Sequence, residues 1–125
     1  MRILVIDPDE YYHTKLQSML ADLGELTICR DVDSARETLR HTKPDVVISE
    51  LLFSDSTGYE ILQYWENGKD RAKPLVFIFS KVENEEDKNQ AKKMGAEKFF
   101  VKGRDTLNDI RDAILININK AYERV

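Results

Sequence analysis

Cysteine occurs once in the 125 residues and histidine twice. A lone Cys29 excludes an intramolecular disulfide, and His13 and His41, well separated and without a second cysteine, give no zinc site of ordinary spacing. Basic residues are not in excess. The 19 Lys and Arg stand against 23 Asp and Glu, a formal net charge of −4 with both histidines neutral, which counts against direct nucleic-acid binding because phosphate contact depends on accumulated cations. No apolar run approaches the roughly 18 residues of a membrane span. Met1 and Arg2 lead directly into ILVI, with neither an extended basic leader nor a small-residue cleavage site. Linkers, repeats and low-complexity stretches are also missing. The expectation is a cytoplasmic protein whose partners are proteins or small ions, folded as a single soluble domain over residues 1–125.

What the sequence does contain is an alternation of short, β-branched apolar runs with longer amphipathic stretches, which calls for a parallel sheet with helices on both faces. The runs are Ile3 to Ile6, Leu26 to Cys29, Val46 to Ile48, Leu75 to Phe79 and Phe99 to Val101. Between the first two, Tyr12, Leu16, Met19, Leu20 and Leu23 share one helical face that Gly24 can terminate. Ala35 and Leu39 mark a second helix ending before Pro44, and Ile61, Leu62 and Trp65 a third, ended by Gly68. Asn84 caps a fourth that runs to Gly95. Thr106 and Asp109 have capping-box spacing ahead of a long stripe of Leu107, Ile110, Ile114, Ile118, Ala121 and Val125. Five βα units with right-handed crossovers give an α/β, flavodoxin-like, doubly wound (βα)5 parallel sheet in strand order 2-1-3-4-5.

Ligands of such sheets sit beyond the carboxyl ends of the strands. The polar residues that follow the apolar runs are Asp7 and Asp9, then Glu50, Ser80 and Lys102. Clustered carboxylates suit a hard cation such as Mg²⁺, and a nearby hydroxyl and ammonium suit the oxygens of a transferring phosphoryl group. With these positions in view, the blocks ILVIDPDE, PDVVISELLFSDSTGYEIL, LVFIFS and GAEKFFVKG are together similar, in order and spacing, to the receiver domain of two-component response regulators over essentially the whole chain.

That resemblance implies a phosphoacceptor aspartate at the end of the third strand, an acidic pair holding Mg²⁺, a Ser or Thr, a Lys and a switching aromatic residue. Asp7 matches the first acidic position, Ser80 the hydroxyl, Lys102 the lysine and Phe99 the aromatic. Glu50 stands where the acceptor belongs and Pro8 where the second acidic residue belongs, leaving Asp7 and Asp9 as the candidate metal ligands of a weakened or lost site. Ser54 and Gly103 replace two prolines usual in the family, and Lys81 fills a position usually small. The extra methylene of glutamate moves its carboxylate about an ångström outward, and misplacement on that scale costs about a hundredfold in rate.

The reading that follows is a degenerate receiver, or pseudo-receiver: a non-enzymatic signalling module without a cofactor, in which Glu50 bonds Ser80 and pairs with Lys102 or Lys81. The alternative is a residual phosphoacceptor that uses Glu50 with Asp7 and Mg²⁺. A flavodoxin-like cofactor binder is disfavoured, because the first βα turn, DPDEYY, has no Gly-rich or Ser/Thr-rich cradle.

Plainer roles compete at several positions. Asp9 equally suits the N-cap of the first helix. His13 and His41 read as exposed helix residues, Cys29 as a buried strand residue, Trp65 as core and Tyr64 as surface. The charged stretch from Glu83 to Lys93 is ordered as the helix dipole favours, acidic first and basic last. Leu115, Ile116 and Tyr122 are left over once the core stripe of the last helix is assigned, so they form a candidate interaction surface. The partners implied are a protein or a second copy meeting the last helices and strand, a histidine kinase or a fused output domain, and neither nucleic acid nor membrane.

Overall fold

The computed structural model describes residues 1–65 and 73–123, with side chains described through Ile118. In chain order the elements are β1 (Arg2–Ile6), α1 (Glu10–Leu20), β2 (Glu25–Cys29), α2 (Val32–His41), β3 (Val46–Ser49), α3 (Tyr59–Gln63), β4 (Leu75–Ser80), α4 (Glu85–Lys93), β5 (Lys98–Val101) and α5 (Leu107–Glu123). The strands form one sheet in the order β2-β1-β3-β4-β5, every pairing parallel, as the alternating pattern requires.

Alternation within each central strand divides the core between the two faces. Ile3, Val5, Val46, Ile48, Phe77 and Phe79 pack with Leu16 and Leu20 of α1 and Ile110, Ala113 and Ile114 of α5. Leu4, Ile6, Val47, Val76 and Ile78 pack with Val32, Ala35 and Leu39 of α2, Ile61 and Leu62 of α3 and Ala91 of α4. A strand covered on both sides needs apolar residues at every position, and residues 3–6 of β1 are all at most 2% exposed. The edge strand β2 is only half covered, which is why Glu25 and Thr27 are tolerated there.

Local signals set most helix boundaries. Asp31 caps α2 by accepting from the Ser34 amide. Asn84 caps α4, and Thr106 and Asp109 bond each other's backbone amides at 2.8 and 3.0 Å in the expected capping box. Gly24 plays a different part from the one its position suggested. The helix α1 already ends at Leu20, and Gly24 passes so close to the Met1 carbonyl that an added Cβ would lie 2.0 Å from its oxygen. That approach lets the Glu25 amide donate to the Met1 carbonyl and start β2. Similarly α3 stops at Gln63, before Trp65, which follows the helix and is partly buried against the core while Tyr64 is exposed. Gly68, the expected terminator, lies outside the described residues, as do the Ala121 and Val125 side chains.

Candidate functional site

Parallel register brings the strand ends level. Ile6 lies beside Ser49, and Ser80 beside Val101, so the residues that follow, Asp7, Glu50 and Lys102, emerge at one edge. The backbone continues the ladder there: the Asp7 amide donates to the Cys29 carbonyl, that of Glu50 to Ile6, and that of Lys102 to Ser80. Three side chains meet as a result. The Lys102 Nζ lies 2.7 Å from Asp7 Oδ2 and 2.7 Å from Glu50 Oε2. All three side chains are at most 5% exposed.

The remaining oxygens are also taken. Asp7 Oδ1 accepts from the Asp9 amide at 2.9 Å. Glu50 Oε1 accepts from the Leu51 and Leu52 amides at 2.8 and 3.1 Å. The longer glutamate side chain curls back over its own turn to reach them. Above the ammonium stand two rings, Tyr12 at 4.3 Å from its centroid and Phe79 at 5.6 Å, themselves packed edge to face. Their faces suit a desolvated cation.

Two carboxylates against one ammonium leave one formal negative charge in a buried place. The protonation preferences follow from that imbalance. Burial pushes the Asp7 carboxyl above its ordinary range, outweighing the bond from Lys102. Burial alone would lower Lys102, but its bonds to Asp7 and Glu50 more than compensate and hold it above the ordinary lysine range.

Other candidate residues have different surroundings. Asp9 caps α1, its Oδ1 accepting from the Tyr11 amide at 2.9 Å. Ser80 is fully buried, and its Oγ accepts from the Val82 amide at 3.2 Å. Its expected bond to Glu50 is not formed, because both Glu50 oxygens are held by Lys102 and the turn amides. Lys81 is exposed and makes no ion pair among the described residues, so the pairing of Glu50 is with Lys102 alone. Phe99 is half-buried and packs on the face covered by α2, α3 and α4. Gly103 turns the chain at φ +88°, closed to proline, whose φ is fixed near −65°. Leu115 and Ile116 are exposed on α5, at 36% and 52%, and the Tyr122 side chain lies outside the described residues.

His13 was expected to be an exposed helix residue and is not. It is half-buried, and its Nε2 lies 2.5 Å from the Asp7 carbonyl. Because a carbonyl only accepts, Nε2 carries the hydrogen. No periodicity marks this role, since the turn between Asp7 and Asp9 is what aims the imidazole at the end of β1. Tyr12 was legible as a core residue but not as the roof of the ammonium, which depends on its ring meeting Phe79 of β4.

A metal ion finds little here to bind. Each oxygen of Asp7 and Glu50 already has a donor, Asp9 turns its Oδ1 to the cap of α1, and Pro8 has no carboxylate. Among the described residues no three His, Cys, Asp or Glu side chains come together in a way that could hold a metal ion.

The chain is similar to several solved structures. The signal receiver domain of a putative LuxO repressor protein from Vibrio parahaemolyticus matches with a TM-score of 0.86 at 15% identity, over 98% of this chain and 93% of that one. A CheY-like receiver domain protein from Methanospirillum hungatei matches with a TM-score of 0.86 at 16% identity, over 99% and 98%. A chemotaxis response regulator from Vibrio cholerae matches with a TM-score of 0.78 at 19% identity, over 91% and 95%. At such identities these likenesses speak for the fold. No curated protein matches the chain. The family model of the response regulator receiver domain matches residues 3–115. With that match over nearly the whole length, and with the strand order and strand-end residues already described, the chain belongs to the response regulator receiver family of two-component signalling.

Proposed function

We propose that this receiver domain works as a protein-interaction module whose phosphoacceptor chemistry has been closed from within. The observation that carries this reading is the pair of 2.7 Å contacts by which Lys102 bridges Asp7 and Glu50. In acceptor chemistry a carboxylate needs a free oxygen for attack, and a divalent cation needs carboxylate oxygens of its own. Here an internal ammonium and three backbone amides, those of Asp9, Leu51 and Leu52, occupy both demands. Glu50 therefore serves as a fixed ion-pair partner rather than as an imitation of a phosphoryl group, which would carry more charge and three acceptor oxygens.

On this reading the domain is no enzyme, uses no cofactor, and acts through its surfaces in the cytoplasm. Leu115 and Ile116 on α5 are the exposed apolar residues offered to a partner protein, a second copy or an output domain. No helix among the described residues is long and apolar enough to cross a membrane.

A magnesium titration followed by thermal melting tests the closed site. A ligand at about tenfold over its Kd stabilises by about 1.4 kcal/mol, which moves the midpoint of a domain this size by about 4 to 7 °C. Titration to millimolar Mg²⁺ is expected to leave the midpoint within about 1 °C. A rise of several degrees that disappears in Asp7→Asn would restore the residual-acceptor alternative.

A further inference from the structure

Helix α4 is the most lightly seated of the five. Ala91 is its one fully buried side chain, whereas α2 buries Val32, Ala35 and Leu39 and α5 buries Ile110, Ala113 and Ile114. The exposed side chains of α4 are all polar, Glu85, Glu86, Asn89, Gln90, Lys92 and Lys93, so apolar burial along the helix itself contributes little to holding it down. A polar contact supplies what packing does not. The Tyr59 hydroxyl, from the first residue of α3, donates to Asp87 Oδ1 in the first turn of α4. The other oxygen of Asp87 accepts from Asn84 Nδ2 at 2.7 Å, and the Asp87 amide donates to Asn84 Oδ1 at 2.8 Å. One carboxylate thus joins the cap of α4 to a neighbouring helix.

The other end of this connection reaches the strand-end site. Gly58, just before Tyr59, donates its amide to the Leu51 carbonyl at 2.8 Å. It packs so close that an added Cβ would lie 2.4 Å from the Glu50 carbonyl oxygen. Tyr59 is therefore set by the backbone of Glu50 and Leu51 on one side and grips α4 on the other. Burial and the neighbouring Asp87 carboxylate hold the phenol well above its ordinary titration range, so it remains a donor throughout the physiological range.

We propose that the Tyr59–Asp87 hydrogen bond is a latch that ties α4 to α3, and that α4 opens as a separate segment when the bond is broken. A partner engaging the start of α3 or the first turn of α4 then controls the surface that α4 presents. The latch does not depend on whether Glu50 accepts a phosphoryl group, since none of its atoms belongs to the carboxylates of the site.

Native-state amide hydrogen exchange on the whole chain, in wild type, Tyr59→Phe, Asp87→Ala and the double variant, tests this. Tyr59→Phe keeps the ring and its packing and removes only the donor. It is expected to speed exchange of the α4 amides by about tenfold, equivalent to about 1.4 kcal/mol, with the amides of β1 and β3 unchanged. In the Asp87→Ala background the same change should add less than about twofold, because its acceptor is already gone. Unchanged α4 exchange in Tyr59→Phe would overturn the proposal. So would equal acceleration in β1 and β3, or an undiminished effect of Tyr59→Phe in the Asp87→Ala background.

Discussion

Replacing Lys102 with methionine is expected to cost the domain about 3 to 5 kcal/mol, the range for removing one partner of a buried ion pair and leaving the other uncompensated. For a chain of this size that corresponds to a fall in Tm on the order of 10 to 20 °C. Methionine keeps most of the volume under Tyr12 and Phe79, so the loss reports charge rather than packing. Two buried carboxylates would then face each other without their shared ammonium.

The loss carries a pH signature whose sign is fixed. Asp7 already titrates above the ordinary carboxylate range because of burial, so the folded state holds its proton more tightly than the unfolded chain does. Such a group weakens folding above its folded-state pKa, and the penalty is relieved as pH falls through that value. Without Lys102 the neighbouring Glu50 charge, which already raises Asp7, acts unopposed. The deficit of Lys102→Met is therefore largest at neutral pH and shrinks on acidification, as Asp7 takes up its proton. In the wild type the Lys102 contribution runs the other way: it is fully present below the ordinary lysine pKa of 10.5 and is lost as pH rises through the elevated folded-state value. Thermal melts of both proteins at neutral and mildly acidic pH check this. A loss below about 1 kcal/mol, the size of an exposed pair, or a deficit that grows on acidification, would mean that the ammonium is not buried between the carboxylates. Neutralising the carboxylates along with the lysine, as Asp7→Asn, Glu50→Gln and Lys102→Met together, should recover much of the stability.

The combination of Glu50→Asp with Pro8→Asp is expected to yield a domain that takes up a phosphoryl group where, on the proposed reading, the unaltered chain takes up none. Shortening residue 50 withdraws its carboxylate from the Leu51 and Leu52 amides and opens a gap in front of Lys102. A carboxylate at position 8 supplies the ligand that lets a cation compete for Asp7. Glu50→Asp alone should restore little, because the incoming charge still lacks its metal. After treatment with acetyl phosphate and Mg²⁺, the double variant is expected to gain the mass of one phosphoryl group, labile to hydroxylamine. Lys81 is exposed, so adding Lys81→Ala should change the yield little. Failure of the double and triple variants alike would show that Ser80 and Lys102 no longer form a usable phosphate site.

The sheet was legible because its central strands are covered on both faces, and continuous apolar runs such as Ile3 to Ile6 have few other homes. Runs at strand ends then located Asp7, Glu50, Ser80 and Lys102 without knowledge of the helices. What escaped were features created by crossings between distant elements. Tyr12 over Lys102, His13 on the Asp7 carbonyl and Tyr59 on Asp87 each depend on how a helix lies across the sheet, and no spacing in the chain encodes that. Of the partners expected for Glu50, Lys102 is paired with it at 2.7 Å, while Lys81 is not and the bond to Ser80 is not formed. The turn of Glu50 itself presents two amides, and a carboxylate one methylene longer than aspartate can fold back to reach them. Gly24 looked like a helix terminator because the close approach of Met1 is invisible until β1 and β2 pair.

The most direct test is incubation of the unaltered protein with acetyl phosphate and Mg²⁺, followed by intact-mass measurement beside Glu50→Gln. With Lys102 bridging Asp7 and Glu50, the mass of the unaltered chain is expected to stay unchanged under conditions that label the Glu50→Asp, Pro8→Asp variant. One added phosphoryl mass, removed by hydroxylamine and absent from Glu50→Gln, would contradict the closed site and make Glu50 a working acceptor.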